Sequence, residues 1–106
     1  MYDEILIPEG IEQIIRALCA DYNRRAIAIE DRTAPFNVIM EYRFLNYRIM
    51  NAAIEVAGPR DAGLFIRDIG EEVGYAASEL WILSEAAYKQ RKIQVKTNIA
   101  RRLSLM

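Results

Sequence analysis

Chemistry at neutral pH needs groups that move protons, attack carbon or hold metals, and this sequence is poor in them. It has no histidine, which removes His-based triads, imidazole proton shuttles and imidazole metal ligands. Its one cysteine, Cys19, excludes an internal disulfide or a thiolate metal cluster. With no histidine to lower its pKa, Cys19 reads as a small buried hydrophobe. Glu71 and Glu72 are adjacent and therefore point in different directions on a helix, a solvated face rather than an acid and a base. No nucleophile–base pair is visible, so neither an enzymatic activity nor a cofactor or metal is expected. What remains is charge acting on charge. Lys89, Arg91, Lys92, Lys96, Arg101 and Arg102 fall within residues 86–106 with no Asp or Glu among them. The last fifth is thus basic and the rest acidic, and any contact with phosphates should run through that segment. The competing explanation is local, because Lys and Arg near a helix C-terminus interact favourably with the dipole and need no ligand.

The elements that must carry these residues are bounded by size and composition. A chain of 106 residues, 53% hydrophobic and 27% charged, supports one compact core and is too short for two ordinary ones. Fourteen Lys+Arg against fifteen Asp+Glu give a net charge of −1, so the whole chain lacks the positive field that marks many nucleic-acid binders. Three prolines and five glycines, without a low-complexity run, describe an ordered domain. No apolar stretch approaches the ~20 residues that span a bilayer, and the acidic start MYDEILIPEG is unlike a signal peptide. A cytoplasmic location is expected.

The hydrophobic pattern is helical throughout, predicting an all-α single small domain of about four helices. Pro8 suits a first turn, with Glu9 and Glu12 behind it at the positive end of a dipole. Ile11, Ile15, Leu18, Tyr22, Ala26 and Ile29 continue one stripe to about Asp31. Thr33-Ala34-Pro35 reads as a cap and first turn, and Gly58-Pro59 stops the next helix, so 8–31 and 35–57 form a hairpin. The second helix carries two apolar stripes, one through Phe36, Met40, Phe44, Tyr47 and Ile54, the other through Val38, Tyr42, Leu45, Ile49 and Val56. A helix apolar on two sides lies mid-fold or between subunits. Arg43, Asn46, Arg48 and Asn51 punctuate it as surface or as a satisfied interior network. The excess apolar surface predicts a homo-oligomer, with Tyr42 and Ile49 as outward interface members.

After the hairpin, Leu64, Phe65, Ile66, Ile69 and Val73 predict a short helix ended by Gly74, and a longer one from Ser78 through Leu80, Leu83 and Ala87. Ile93, Ala100 and Leu103 carry its stripe into a basic arm over 93–106. Gly70 is small where the second helix would cross the first, and Gly74 is free to take the positive φ of a tight turn. Residues 62–92 are thereby read as a helix-turn-helix in the C-terminal half. The run Asp68-Ile69-Gly70-Glu71-Glu72-Val73-Gly74-Tyr75-Ala76-Ala77-Ser78-Glu79-Leu80 resembles the helix-turn-helix of the promoter-reading C-terminal region of bacterial sigma factors, and of sigma-like transcription regulators of phages and prophages. Ala86-Ala87-Tyr88-Lys89-Gln90-Arg91-Lys92 is similar to the basic end that follows the recognition helix there. The resemblance covers about residues 65–92.

That resemblance implies a small DNA-binding transcription regulator. Ala77, Ser78, Glu79, Trp81, Ile82 and Glu85 would face base edges of double-stranded DNA, with Leu80 and Leu83 buried, and Lys89, Arg91, Lys92 and Lys96 would lie along the backbone. Such positions usually carry Arg, Lys or Gln, which read guanine and adenine by bidentate hydrogen bonds. Here they carry two carboxylates and two large apolar groups. The alternative reading is therefore a protein-interaction module, of a phage-type inhibitor or homodimeric adaptor, that presents Trp81, Ile82 and Tyr75 to a protein partner or a second copy.

Overall fold

A computed structural model describes residues 7–106, and the acidic start of the chain through residue 6 lies outside the described residues. The fold is all-α: α1 (Glu9–Ala20), α2 (Tyr22–Asp31), α3 (Phe36–Ala57), α4 (Ala62–Glu71) and α5 (Glu85–Arg102), with one 3₁₀ turn at Tyr75–Ala77. Four rods follow from these five helices, because only Asp21 separates α1 from α2 and the backbone ladder nearly continues through it. Its N–H donates to the Ala17 carbonyl at 3.1 Å, and its own carbonyl accepts from Arg25 N–H at 3.1 Å. The bend lets the two halves pack on different neighbours, α1 on α4 and α2 on α3.

Periodicity placed most boundaries. The chain enters α1 after Pro8 and α3 after Pro35, whose missing N–H costs nothing at a helix start. Gly58 ends α3 with φ 84°, a value that disfavours a side chain. α3 is central, flanked by α2, α4 and α5. Ile15, Ile49, Phe65, Tyr88, Val95 and Ile99 form the interior, together with buried Cys19, Ala52, Ala53 and Ala62. Those small residues let helix axes approach closely. Gly70 does so most sharply, since a Cβ there would lie 2.5 Å from the Ala20 backbone nitrogen. Its smallness serves the contact with α1, not a crossing of the helix that follows it.

The two stripes of α3 separate cleanly. Ile49 is fully buried and Tyr42 half-buried beneath the Arg24 guanidinium, 5.4 Å from the ring centroid. The expectation that Tyr42 and Ile49 face outward is therefore corrected, because α2 and the core cover that stripe. The other stripe is open: Phe36, Met40, Phe44 and Tyr47 are 78%, 44%, 62% and 68% exposed. Asn46 belongs to a satisfied interior network. Buried Arg25 donates to its Oδ1 at 2.7 Å and to the Leu18 carbonyl at 2.6 Å, and Asn46 Nδ2 donates to the Tyr22 carbonyl at 3.2 Å.

Candidate interaction surface

Between α4 and α5 the chain makes a thirteen-residue connection, 72–84, where a helix-turn-helix would need a turn of about 3–4 residues. The helix expected from Ser78 begins seven residues later, at Glu85. Local competition explains the difference. The Ser78 hydroxyl donates to the Tyr75 carbonyl at 2.8 Å and accepts from Leu80 N–H at 3.1 Å, closing a side-chain turn in place of a helical one. Ser84 then caps α5, accepting from Ala87 N–H at 3.1 Å. Gly74, expected at positive φ, has φ −89°. The left-handed positions are Glu72 at 56° and Glu79 at 66°.

A buried carboxylate organises this connection from below. Asp68, on the inner face of α4, is fully buried. Its Oδ1 accepts from Arg67 Nε at 3.0 Å and Nη2 at 2.8 Å, and its Oδ2 accepts from the Tyr88 hydroxyl at 2.8 Å. Arg67 Nη2 also donates to the Ser78 carbonyl at 3.0 Å, and Nη1 lies 3.5 Å from Glu79 Oε2. Lys92 Nζ donates to the Val73 carbonyl at 2.7 Å. Tyr75 donates to the Leu83 carbonyl at 2.6 Å, and its ring packs 5.5 Å from that of Tyr88. Burial, then the Asp68 hydrogen bond, pushes the Tyr88 hydroxyl well above the usual tyrosine range, so it remains a donor. Leu80 plugs the connection into the core at 2% exposure.

Held at both ends and in the middle, the connection turns two large apolar groups outward. Trp81 is 65% and Ile82 77% exposed. Trp81 Nε1 donates to the Tyr75 carbonyl at 3.3 Å, which fixes the indole while leaving its faces to solvent. Ordering a loop residue costs ~1–2 kcal/mol. Here that cost is met by the fold before any encounter, which is what pre-organised recognition requires.

The residues expected to read DNA are not presented together. Ser78 is fully buried inside the network, Glu79 faces Arg67, and Ala77, Trp81 and Ile82 lie on the loop. Glu85 opens α5 and pairs with Lys89 at 3.2 Å. The basic arm expected over 93–106 is the second half of α5, with Val95, Ile99 and Ala100 in the core. Several of its cations turn to the protein itself. Lys96 pairs with Glu12 at 2.7 Å and Arg102 with Glu55, as Lys92 just ahead of the arm turns to the Val73 carbonyl, while Arg101 is exposed. Arg91 remains half-buried on α5. A cleft of about 590 Å³ opens beside Lys92 and Lys96, where Lys96 pairs with Glu12 and Arg16 meets Glu72 at 3.0 Å. Among the described residues no group of three or more His, Cys, Asp or Glu side chains is placed to hold a metal ion, and no helix is long and apolar enough to cross a membrane.

Asp68, Arg67 and Tyr88 escaped the sequence reading. Their one signal was Asp68 itself, an acid set among Phe65, Ile66 and Ile69 on an inward face. No family model, curated protein or solved structure matches this chain.

Proposed function

We propose that this protein is a protein-interaction module whose recognition element is the anchored connection 72–84, with Trp81 and Ile82 as the contact residues. The observation that carries this reading is an exposed Trp–Ile pair on a loop fixed by buried Asp68 and Tyr88 together with partly exposed Arg67. Interface hot spots are enriched in Trp, and rigid presentation lowers the ordering cost of binding. Against the DNA-contacting alternative, Lys92, Lys96 and Arg102 turn their charged ends to partners within the chain, which leaves Arg91, Arg101 and the exposed Lys89 as its basic side chains. Glu79 and Glu85 would approach phosphates with the wrong sign.

Panning a randomised peptide library on the immobilised protein tests the reading. Peptides selected by the wild type should lose at least about thirtyfold in affinity for Trp81→Ala, the ~2 kcal/mol of a hot spot. An enriched set that binds Trp81→Ala equally well would overturn the assignment.

A further inference from the structure

The open stripe of α3 is independent of the 72–84 loop and has its own logic. Phe36, Met40, Phe44 and Tyr47 recur at steps of four, four and three, with half-buried Asn51 next in line, so one helical face is bare along three turns. Glu41 and Arg48 stand seven residues apart on one flank of that face, and Arg43 and Met50 stand seven apart on the other. Glu41 has no ion-pair partner among the described residues. Arg48 leans over the Phe44 ring at 5.2 Å, so its charge already borders the apolar face.

From this arrangement we infer that the occupant of the stripe is a second copy of the chain, packed antiparallel about a two-fold axis that passes between Phe44 and Tyr47. Antiparallel helices bring like flanks together. In this register Phe44 of each copy lies over Tyr47 of the other and Met40 over Asn51. Glu41 of each copy meets Arg48 of the other, twice by symmetry, while the Arg43 stem runs along Met50. The charges select the register. Sliding by one heptad sets Glu41 against Glu41 and Arg43 against Arg43, and a parallel pairing sets Arg43 against Arg48 twice. Like charges at such positions oppose association.

The area fits a reversible dimer. Aromatic side chains bury ~150–250 Å² each, and four partly exposed side chains per copy give on the order of 1,000 Å² in total, the low end for a specific interface.

Sedimentation equilibrium across a wide protein concentration range tests this. A monomer–dimer equilibrium is expected for the wild type. Phe44→Glu, at a solvent-exposed position, should be monomeric throughout with unchanged far-ultraviolet circular dichroism. Glu41→Arg should weaken the dimer at least tenfold, and adding Arg48→Glu should restore it, which also keeps the test decisive if Phe44→Glu folds poorly. A wild type that stays monomeric at several hundred micromolar would overturn the inference. So would a dimer that tolerates Glu41→Arg, or one that the double reversal does not rescue.

Discussion

Two buried ionisable groups, Cys19 and Tyr88, weaken this fold in alkali. Burial pushes the Cys19 thiol up to about 12, and Tyr88 is raised in the same direction by burial and by Asp68. Both are neutral when protonated, and both have folded pKa values above their unfolded ones. Their contribution to stability is therefore fully present below the unfolded values, ~8.5 for a thiol and ~10 for a phenol, and is lost as pH rises toward the folded ones. Thermal melts should be level from neutrality to about pH 8.5 and fall beyond it. Cys19→Ala should remove the earliest part of the fall, and a Tm that does not change up to pH 11 would count against the burial of both. Asp68 gives a second test at this scale. Asp68→Ala removes the buried carboxylate shared by Arg67 and Tyr88, and should cost about 3 kcal/mol in urea denaturation, the low end for a broken buried pair because Arg67 is partly solvated and keeps the Ser78 carbonyl, and Tyr88 keeps the Val73 carbonyl. Cys19 was legible from the missing histidines and its place beside an apolar stripe. The Asp68 network was not, because Tyr88 lies twenty residues from Asp68 and a lone Asp on an inward face does not name its partners.

At the scale of elements, the helices of the first half were legible because apolar spacing and the Pro and Gly punctuation agreed. The break at Asp21 escaped notice because it interrupts only one residue of a continuous stripe. The 72–84 connection was misread for a different reason. Ala76 and Ala77 favour helix, and Ser78 and Ser84 are equally good caps on paper. The Ser78 side-chain turn, reinforced by Arg67 on the Ser78 carbonyl and Tyr75 on the Leu83 carbonyl, leaves Ser84 as the cap. Gly70 was singled out correctly as a close approach but assigned the wrong neighbour, since no local pattern says that α1 rather than the next helix lies over α4. Gly70→Ala should lower stability by about 1–3 kcal/mol, because the clash is with the Ala20 backbone and not with the far end of a flexible side chain. Chemical denaturation measures this directly, and an unchanged midpoint would mean that α1 does not rest on Gly70.

As a whole the molecule is elongated, 46 × 28 × 20 Å, with two kinds of exposed apolar surface, a flat helical stripe on α3 and a loop pair at Trp81 and Ile82. Hydrophobic periodicity carried the fold class and composition the scarcity of catalytic groups, but a helical wheel could not tell which stripe of α3 is covered until α2 and α5 were in place. The proposed recognition surface is tested most directly through Trp81, the chain's sole tryptophan. Its emission can be followed while the protein is titrated with a library-selected peptide and, separately, with duplex DNA, each at low and at high salt. The expected result is a blue shift with the peptide at an affinity nearly independent of salt, and no response to DNA even at low salt. A saturable response to DNA that weakens steeply with salt, with no peptide requiring Trp81, would contradict it.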